Sequence, residues 1–380
     1  MEHGYFPRYL SSGHIVFLRQ NTLFAAPFDV SRLAVIGPAQ PVLDDVSAPA
    51  FSGAANFDFS QTGTFVYLAG AGANRAIFWL DSAGNLKPLH AEPGQYYHPA
   101  FSPDGKRLAF TVASGHGMDI WVQDLALGDA SRKSFLPGRN WWPLWIPDGK
   151  GIVFASTGGE VRDTLYLIAA DGSGEAQQIS DENVRGVPRS FAPDGTRLAF
   201  DTGPTVSQIW TVPMKTAPEH LRLGAASRFI DAATPVPDAQ FSPDGRWIAY
   251  VSAESGMANI FVRPFPGPGG TAQVSTRGGR FPIWSQNGRE LFYLGPDKRI
   301  QVATYTTSGN SFSPGKSRVW SERQLGDWGV NRMYDLAPDG KRFAVILDTD
   351  QTGDSKPAMR VTVLVNFFDE LRRGVPLPRP

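Results

Sequence analysis

Cysteine is absent from this 380-residue chain, and that one absence removes thiol catalysis, disulfides, iron–sulfur clusters and thiolate zinc sites. Net charge is absent too. With 36 basic side chains against 36 acidic ones, no strong overall field draws the protein to DNA or RNA, and no nucleic-acid partner is expected. Charged residues together make up 19% of the chain, below the usual quarter. Long apolar runs are missing as well. The longest, such as Arg360–Phe368 (RVTVLVNFF), fall far short of the roughly 20 residues a membrane span needs, so this segment is not expected to insert into a membrane. The opening MEHGYFPRYLSSGH has no basic stretch followed by an apolar one, and no signal peptide is expected.

Catalytic and metal signatures are equally scarce. The six histidines (His3, His14, His90, His98, His116 and His220) show no His-x-x-x-His or other metal-type spacing. No Gly-x-Ser-x-Gly elbow occurs and no histidine follows His220, which excludes the serine hydrolases that carry a propeller ahead of their catalytic domain. Asp124, Asp129 and Asp171 fall in loop-like contexts without an Asp-x-Asp-x-Asp-Gly run, so they read as turn residues and no metal site is expected. No cofactor is expected either.

Turn residues and aromatics are abundant. Gly 40 and Pro 31 approach a fifth of the chain and aromatics reach 12%, a composition that is turn-dense yet too aromatic for disorder. The turns repeat. FSPDGKRLAF from Phe101, WIPDGKGIVF from Trp145, FAPDGTRLAF from Phe191, FSPDGRWIAY from Phe241, WSQNGRELFY from Trp284 and LAPDGKRFAV from Leu336 align, preceded by the degenerate YLSSGHIVFL from Tyr9 and FSQTGTFVYL from Phe59. Their turn glycines (Gly13, Gly63, Gly105, Gly149, Gly195, Gly245, Gly288 and Gly340) recur about every 47 residues, the spacing of propeller blades.

Local chemistry explains each copy. Pro103 presets φ, Asp104 follows, and Gly105 takes the left-handed conformation that closes a hairpin. Alternating apolar residues such as Leu108 and Phe110 follow with the period of a strand. A third strand comes about ten residues later (MDIWVQDL at Met118, DTLYLIAA at Asp163, SQIWTVPM at Ser207, ANIFVRPF at Ala258), and a weaker fourth ends the repeat (AQQIS at Ala176, AQVST at Ala272). Four antiparallel strands make one blade. The expectation is an all-β propeller of eight blades, with seven as the alternative, over residues 1–371, then a proline-rich tail over 372–380. The only helical pattern is Asn366–Arg373 (NFFDELRR). The last repeat shows three strands, Met333–Leu336, Lys341–Leu347 and Arg360–Val365, so the ring could close by borrowing an N-terminal strand.

These repeats resemble the TolB-like, WD-repeat-like propellers of bacteria. Three stretches resemble more specifically the extracytoplasmic propeller of bacterial serine/threonine protein kinases: ESGMANIFVRPFPGPGG at Glu254, RYLSSGHIVFLRQNTLFAAPFD at Arg8 and VTVLVNFFDELRR at Val361. The resemblance implies an extracytoplasmic ligand-sensing or protein-interaction module without catalytic residues. The kinase itself is not in this chain, which has no Gly-rich loop with a strand lysine, no His-Arg-Asp loop and no Asp-Phe-Gly.

The loops entering the innermost strands carry the candidate site, because in a propeller they open beside the central channel. They hold Tyr96, Tyr97, His98, Arg139, Trp141, Trp142, Arg185, Arg189, Arg280, Arg332 and Tyr334, with few carboxylates (Asp181, Glu182, Asp238). Guanidinium forks pair with carboxylates or phosphates, and aromatic faces stack on sugars. The competing reading is packing, since aromatics before innermost strands also fill space between blades. The expected partners are a protein or peptide, an anionic small ligand or a glycan, bound by a monomer. The alternative is a lyase or hydrolase of anionic saccharides using His98 as a general base.

Overall fold

The computed structural model describes residues 4–377 apart from 20–21, 45, 48–54, 70–74, 115–116, 160–161, 182–183, 203–207, 217–220, 232–237, 254–255, 268, 327–328 and 350–359. His3, His116, His220 and Glu182 of the sequence reading lie outside the described residues. The protein is an all-β propeller built on antiparallel, mostly four- and five-stranded sheets, with one short helix among the described residues. The stretch 1–371, read from its repeats as one propeller, divides into two compact units: one of Met1–Asn74, Ala113–His116 and Asp348–Pro380, the other of Arg75–Val112 and Gly117–Leu347.

Among the described residues the larger unit carries two four-stranded sheets, two five-stranded ones and one seven-stranded sheet, whose two ends are labelled I and VI below. Sheet I takes the 95–101 stretch of the long strand Leu86–Phe101, then Arg107–Ser114, Gly117–Asp124 and Ala130–Arg132. Sheet II is Asn140–Trp145, Gly151–Ser156, Thr164–Ala169 and Gln177–Gln178. Sheet III runs Val187–Phe191, Arg197–Asp201 and Gln208–Thr216, whose far side pairs with Leu221–Leu223 and Ser227–Asp231. Sheet IV is Ala239–Phe241, Trp247–Ser252, Asn259–Pro264 and Ala272–Gln273. Sheet V is Arg280–Trp284, Glu290–Leu294 and Arg299–Ser308, with Ser311–Pro314 and Arg318–Gln324 both on the last.

Sheet VI is composite. Tyr334–Leu336 and Arg342–Asp348 are followed in the sheet by Arg75–Asp81 and the 86–94 stretch. Two strands from the N-terminal side of the chain therefore complete this blade, where the sequence reading expected Arg360–Val365 as a third strand and a single borrowed one. Arg360–Leu364 does not join it. That strand pairs with Phe65–Ala69 in the smaller unit, Val361 opposite Leu68 and Val363 opposite Val66.

Packing follows from the hairpins. The second strands are buried on both sides, as in Gly151–Ser156 and Trp247–Ser252, because each central strand lies between two neighbouring sheets. Small residues therefore sit between the large ones. Leu108, Ala109 and Phe110 are all fully buried. Trp145 and Phe154 pack with Ala100 and Ile120 of the previous sheet, and the pattern continues around to Phe292 against Tyr334 and Phe343. Indole and phenol groups tie neighbours by hydrogen bonds, Trp145 Nε1 to Ala100 O (2.9 Å) and Trp284 Nε1 to Gln240 O (2.8 Å). Sheet VI meets sheet I where the Phe101 N–H donates to Asp335 Oδ2 (2.8 Å).

The smaller unit has its own core. Tyr5–Leu10, His14–Arg19 and Thr22–Asp29 form a sheet with Ala34–Val35 and Gln40–Leu43, and Phe57–Phe59 joins Phe65–Ala69 and Arg360–Leu364. Helix α1, Phe367–Gly374, adds Phe367, Phe368 and Leu371 to Leu18, Leu23 and Phe65. Buried His14 ties the chain ends together, its Nε2 donating to Val375 O (2.7 Å).

Candidate functional site

The innermost strands bend where the site lies. His98, Trp142 and Phe281 occupy left-handed φ of 50°, 58° and 55°, a conformation that costs an ordinary residue energy and persists only when its surroundings fix it. Ladder register slips across Trp141–Leu144, Pro188–Ser190 and Arg280–Ile283. Such bulges re-aim side chains, and here five sheets send one residue each to a common cluster: His98, Trp142, Arg189, Asp238 and Arg332. The His98 ring lies 4.1 Å from that of Trp142. The Arg189 guanidinium lies 3.9 Å over the same indole and that of Arg332 6.0 Å from it. Arg332 Nη1 stands 4.0 Å from Asp238 Oδ2.

His98 is fixed on both ring nitrogens. Its Nε2 donates to Asn331 Oδ1 (3.0 Å), and Thr111 Oγ1 lies 3.4 Å from Nδ1 while also accepting the Trp142 N–H (3.3 Å). Burial first, and then the charges of Arg189, Arg332 and Arg139, hold its pKa well below the usual imidazole value against the pull of the Asn331 bond. The ring is a neutral structural member of the cluster.

The sequence reading found few carboxylates near these arginines, and here the structure corrects it. Arg189 is ion-paired through Nε with Asp201, both buried. Arg139 pairs with Asp163 (3.1 Å) and covers the Trp141 ring at 4.4 Å, while Trp141 Nε1 donates to the same carboxylate (2.9 Å). Buried charges need such partners. Asp163 and Asp201 lie at the beginning of a third strand and the end of a second one, away from the loops that the sequence reading searched. Asn331 directly precedes Arg332, in one of the loops that reading did search. Four buried polar atoms of the cluster, Trp142 Nε1, Arg189 Nη1, Arg332 Nε and Asp238 Oδ2, have no hydrogen-bond partner among the described residues.

The remaining predicted residues spread outward. Tyr97 lies under the Arg75 guanidinium at 4.6 Å. Tyr96 turns the other way, its hydroxyl 3.1 Å from His90 Nε2, into a cavity of about 590 Å³ lined also by Glu92, Phe110 and Gln123. Arg185 forms an isolated bridge with Thr164. Arg280 and Tyr334 line a third place, a cavity of about 340 Å³ beside Asn331. The Tyr334 hydroxyl is engaged there, donating to Phe281 O (2.7 Å). Among the described residues no group of three or more metal-ligating side chains is present, and no helix is long and apolar enough to cross a membrane. The repeated turn aspartates are accounted for locally, for Asp104, Asp148, Asp194, Asp244 and Asp339 each accept the backbone N–H two positions on.

Comparison with known proteins agrees with this architecture. Residues 59–228 match the family model of the TolB beta propeller domain. A solved structure described as TolB from Agrobacterium tumefaciens is 17% identical, covering 73% of this chain and 98% of its own, with a TM-score of 0.54. TolB from Acinetobacter baumannii is also 17% identical, over 82% of this chain and 79% of its own, with a TM-score of 0.49. At such identity the first of these likenesses speaks to the fold alone. Among curated protein sequences none matches this chain.

Proposed function

We propose that this propeller is a binding module, not an enzyme, and that it recognises a peptide or glycan on the face built by the loops before its innermost strands. The observation that carries this reading is the engagement of His98 on both ring nitrogens inside the cluster, beside a partly exposed Trp141–Arg139 pair that presents an indole face and a guanidinium. A ring locked and neutral supplies no accessible base, whereas a stacked indole next to a fork of donors suits sugars and peptide groups. An extracytoplasmic setting, and kinship with the propellers of bacterial membrane kinases, belong to the proposal and are supported by the resemblance of the stretches at Arg8, Glu254 and Val361.

The test is a thermal-shift and calorimetric screen with uronate oligomers, acidic peptides and neutral sugars on the intact chain. A shift that weakens with salt and disappears in Trp141→Ala with Arg139→Gln supports binding on this face. A lyase or hydrolase acting on anionic saccharides would be recognised by turnover that His98→Gln abolishes, and that result would overturn the proposal.

A further inference from the structure

We propose that the 340 Å³ cavity is a second binding site, for a small anion that carries an apolar body, such as an aromatic carboxylate or phosphate monoester. This goes beyond the peptide- or glycan-binding face and does not depend on Trp141 or Arg139. The cavity opens among the loops that enter and leave sheet V and lies wholly within the larger unit. Its size falls at the lower end of small-molecule pockets, about 300–1,000 Å³.

The lining divides by chemistry. Three cationic residues line it, Arg277, Arg280 and Lys298, and no carboxylate is found among its described lining residues. Neither Arg277 nor Lys298 has a side-chain partner among the described residues, and Arg280 makes one long contact, 3.4 Å to Gly329 O. The adjacent Asp297 is turned to Arg299, accepting its N–H at 3.2 Å and standing 3.8 Å from its guanidinium. This contrasts with the central cluster, where Arg189 and Arg332 each face a buried aspartate. The rest of the lining includes the apolar Phe281, Leu294, Leu325 and Met333, together with Tyr334, whose hydroxyl is occupied by Phe281 O.

Hydrogen bonds hold the backbone that carries these cations. Asn259 Oδ1 accepts the Gly278 N–H (2.9 Å) and Ala258 O accepts that of Gly279 (2.8 Å), which pins the loop carrying Arg277 and Arg280. Lys298 is held in a left-handed conformation at φ 65°, its N–H donating to Gly295 O (3.0 Å) and its carbonyl accepting from Leu325 N–H (2.7 Å). Three like charges around one partly apolar concavity fit an anionic head on a ring or branched chain.

The experiment titrates the intact chain with phenyl phosphate, benzoate, benzamide and inorganic phosphate by calorimetry. Phenyl phosphate and benzoate are expected to bind, and benzamide, which lacks the charge, to bind at least about tenfold more weakly. Inorganic phosphate, which lacks the body, is expected to be weaker than phenyl phosphate. Arg277→Gln and Lys298→Asn, the latter keeping a residue that tolerates the left-handed backbone, should each lower phenyl phosphate affinity severalfold, while Lys150→Asn, at the hairpin turn of sheet II and not among the lining residues, should not. Trp141→Ala should leave this binding unchanged, so failure here and failure of the peptide or glycan face are read separately. The proposal is overturned by no binding of either anion, by equal binding of benzamide, by inorganic phosphate matching phenyl phosphate, or by undiminished affinity in both charge variants.

Discussion

Gly195, at φ 71° and with only ordinary van der Waals contact to the Pro147 ring (3.8 Å) where a Cβ would go, isolates the cost of the left-handed turn from any clash. Gly195→Val should lower stability by about 1–3 kcal/mol, and Asp194→Ala, which removes only the bonds to Thr196, by about 1 kcal/mol or less. Urea melts of the two variants decide this, and a larger loss for Asp194→Ala would mean the aspartate does more than shape its turn. Two buried groups set opposing pH responses. Burial, against the pull of Arg332, pushes the Asp335 carboxyl up to about 6, above the ordinary value of about 3.9 for an unfolded chain. Its contribution is therefore full below about pH 4 and is lost as pH rises through about 6, by up to about 3 kcal/mol. His98 is shifted downward, so its contribution is present above about pH 6.5 and lost as pH falls. Asp335→Asn should then be more stable than the parent at pH 7 and fall more steeply on acidification, and parallel stability curves from pH 4 to 8 would refute the assignment.

The hairpins were legible in the sequence because each is specified locally, by a Pro-Asp-Gly turn between apolar strands, and the third strands at Met118, Asp163, Ser207 and Ala258 follow the same local pattern. Pairing between distant strands was not legible. Arg360–Leu364 reads as a third strand of the last repeat, yet nothing in its own residues says that Phe65–Ala69 is its neighbour while Arg75–Asp81 takes its place. The site was legible in part for the same reason. Position before an innermost strand found His98, Trp142, Arg189 and Arg332, but Asp163 and Asp201 reach their arginines from other strands, and Tyr96 faces away because strand neighbours point to opposite sides. The composite sheet should be sensitive to its core. Phe343 is fully buried among Phe292, Trp320 and Tyr334, and Phe343→Ala should cost about 3–5 kcal/mol. A loss below about 1 kcal/mol in chemical denaturation would mean this sheet is far looser than described.

At the scale of the molecule, the division after Asn74 and Leu347 was not read because the repeats at Gly13 and Gly63, though degenerate, keep the turn glycine and the spacing of those that follow. It predicts that residues 75–347 melt as one cooperative transition when expressed alone, whereas 86–347, without the first of the two strands that complete sheet VI, do not. Calorimetry of the two fragments settles it, and a cooperative melt of the shorter one would deny that strand its role. The composite sheet also sets a timetable for biosynthesis. Arg75–Asp81 leaves the ribosome about 260 residues before Arg342–Asp348, which at about 5–20 residues per second is roughly 13 to 50 seconds. For that interval Ala76, Ile77 and Leu80, all buried in the finished protein, belong to a strand whose later partner has not been made. The nascent chain must keep that segment from other partners until its last blade arrives, so slowed translation or scarce chaperones should reduce its yield more than its final stability.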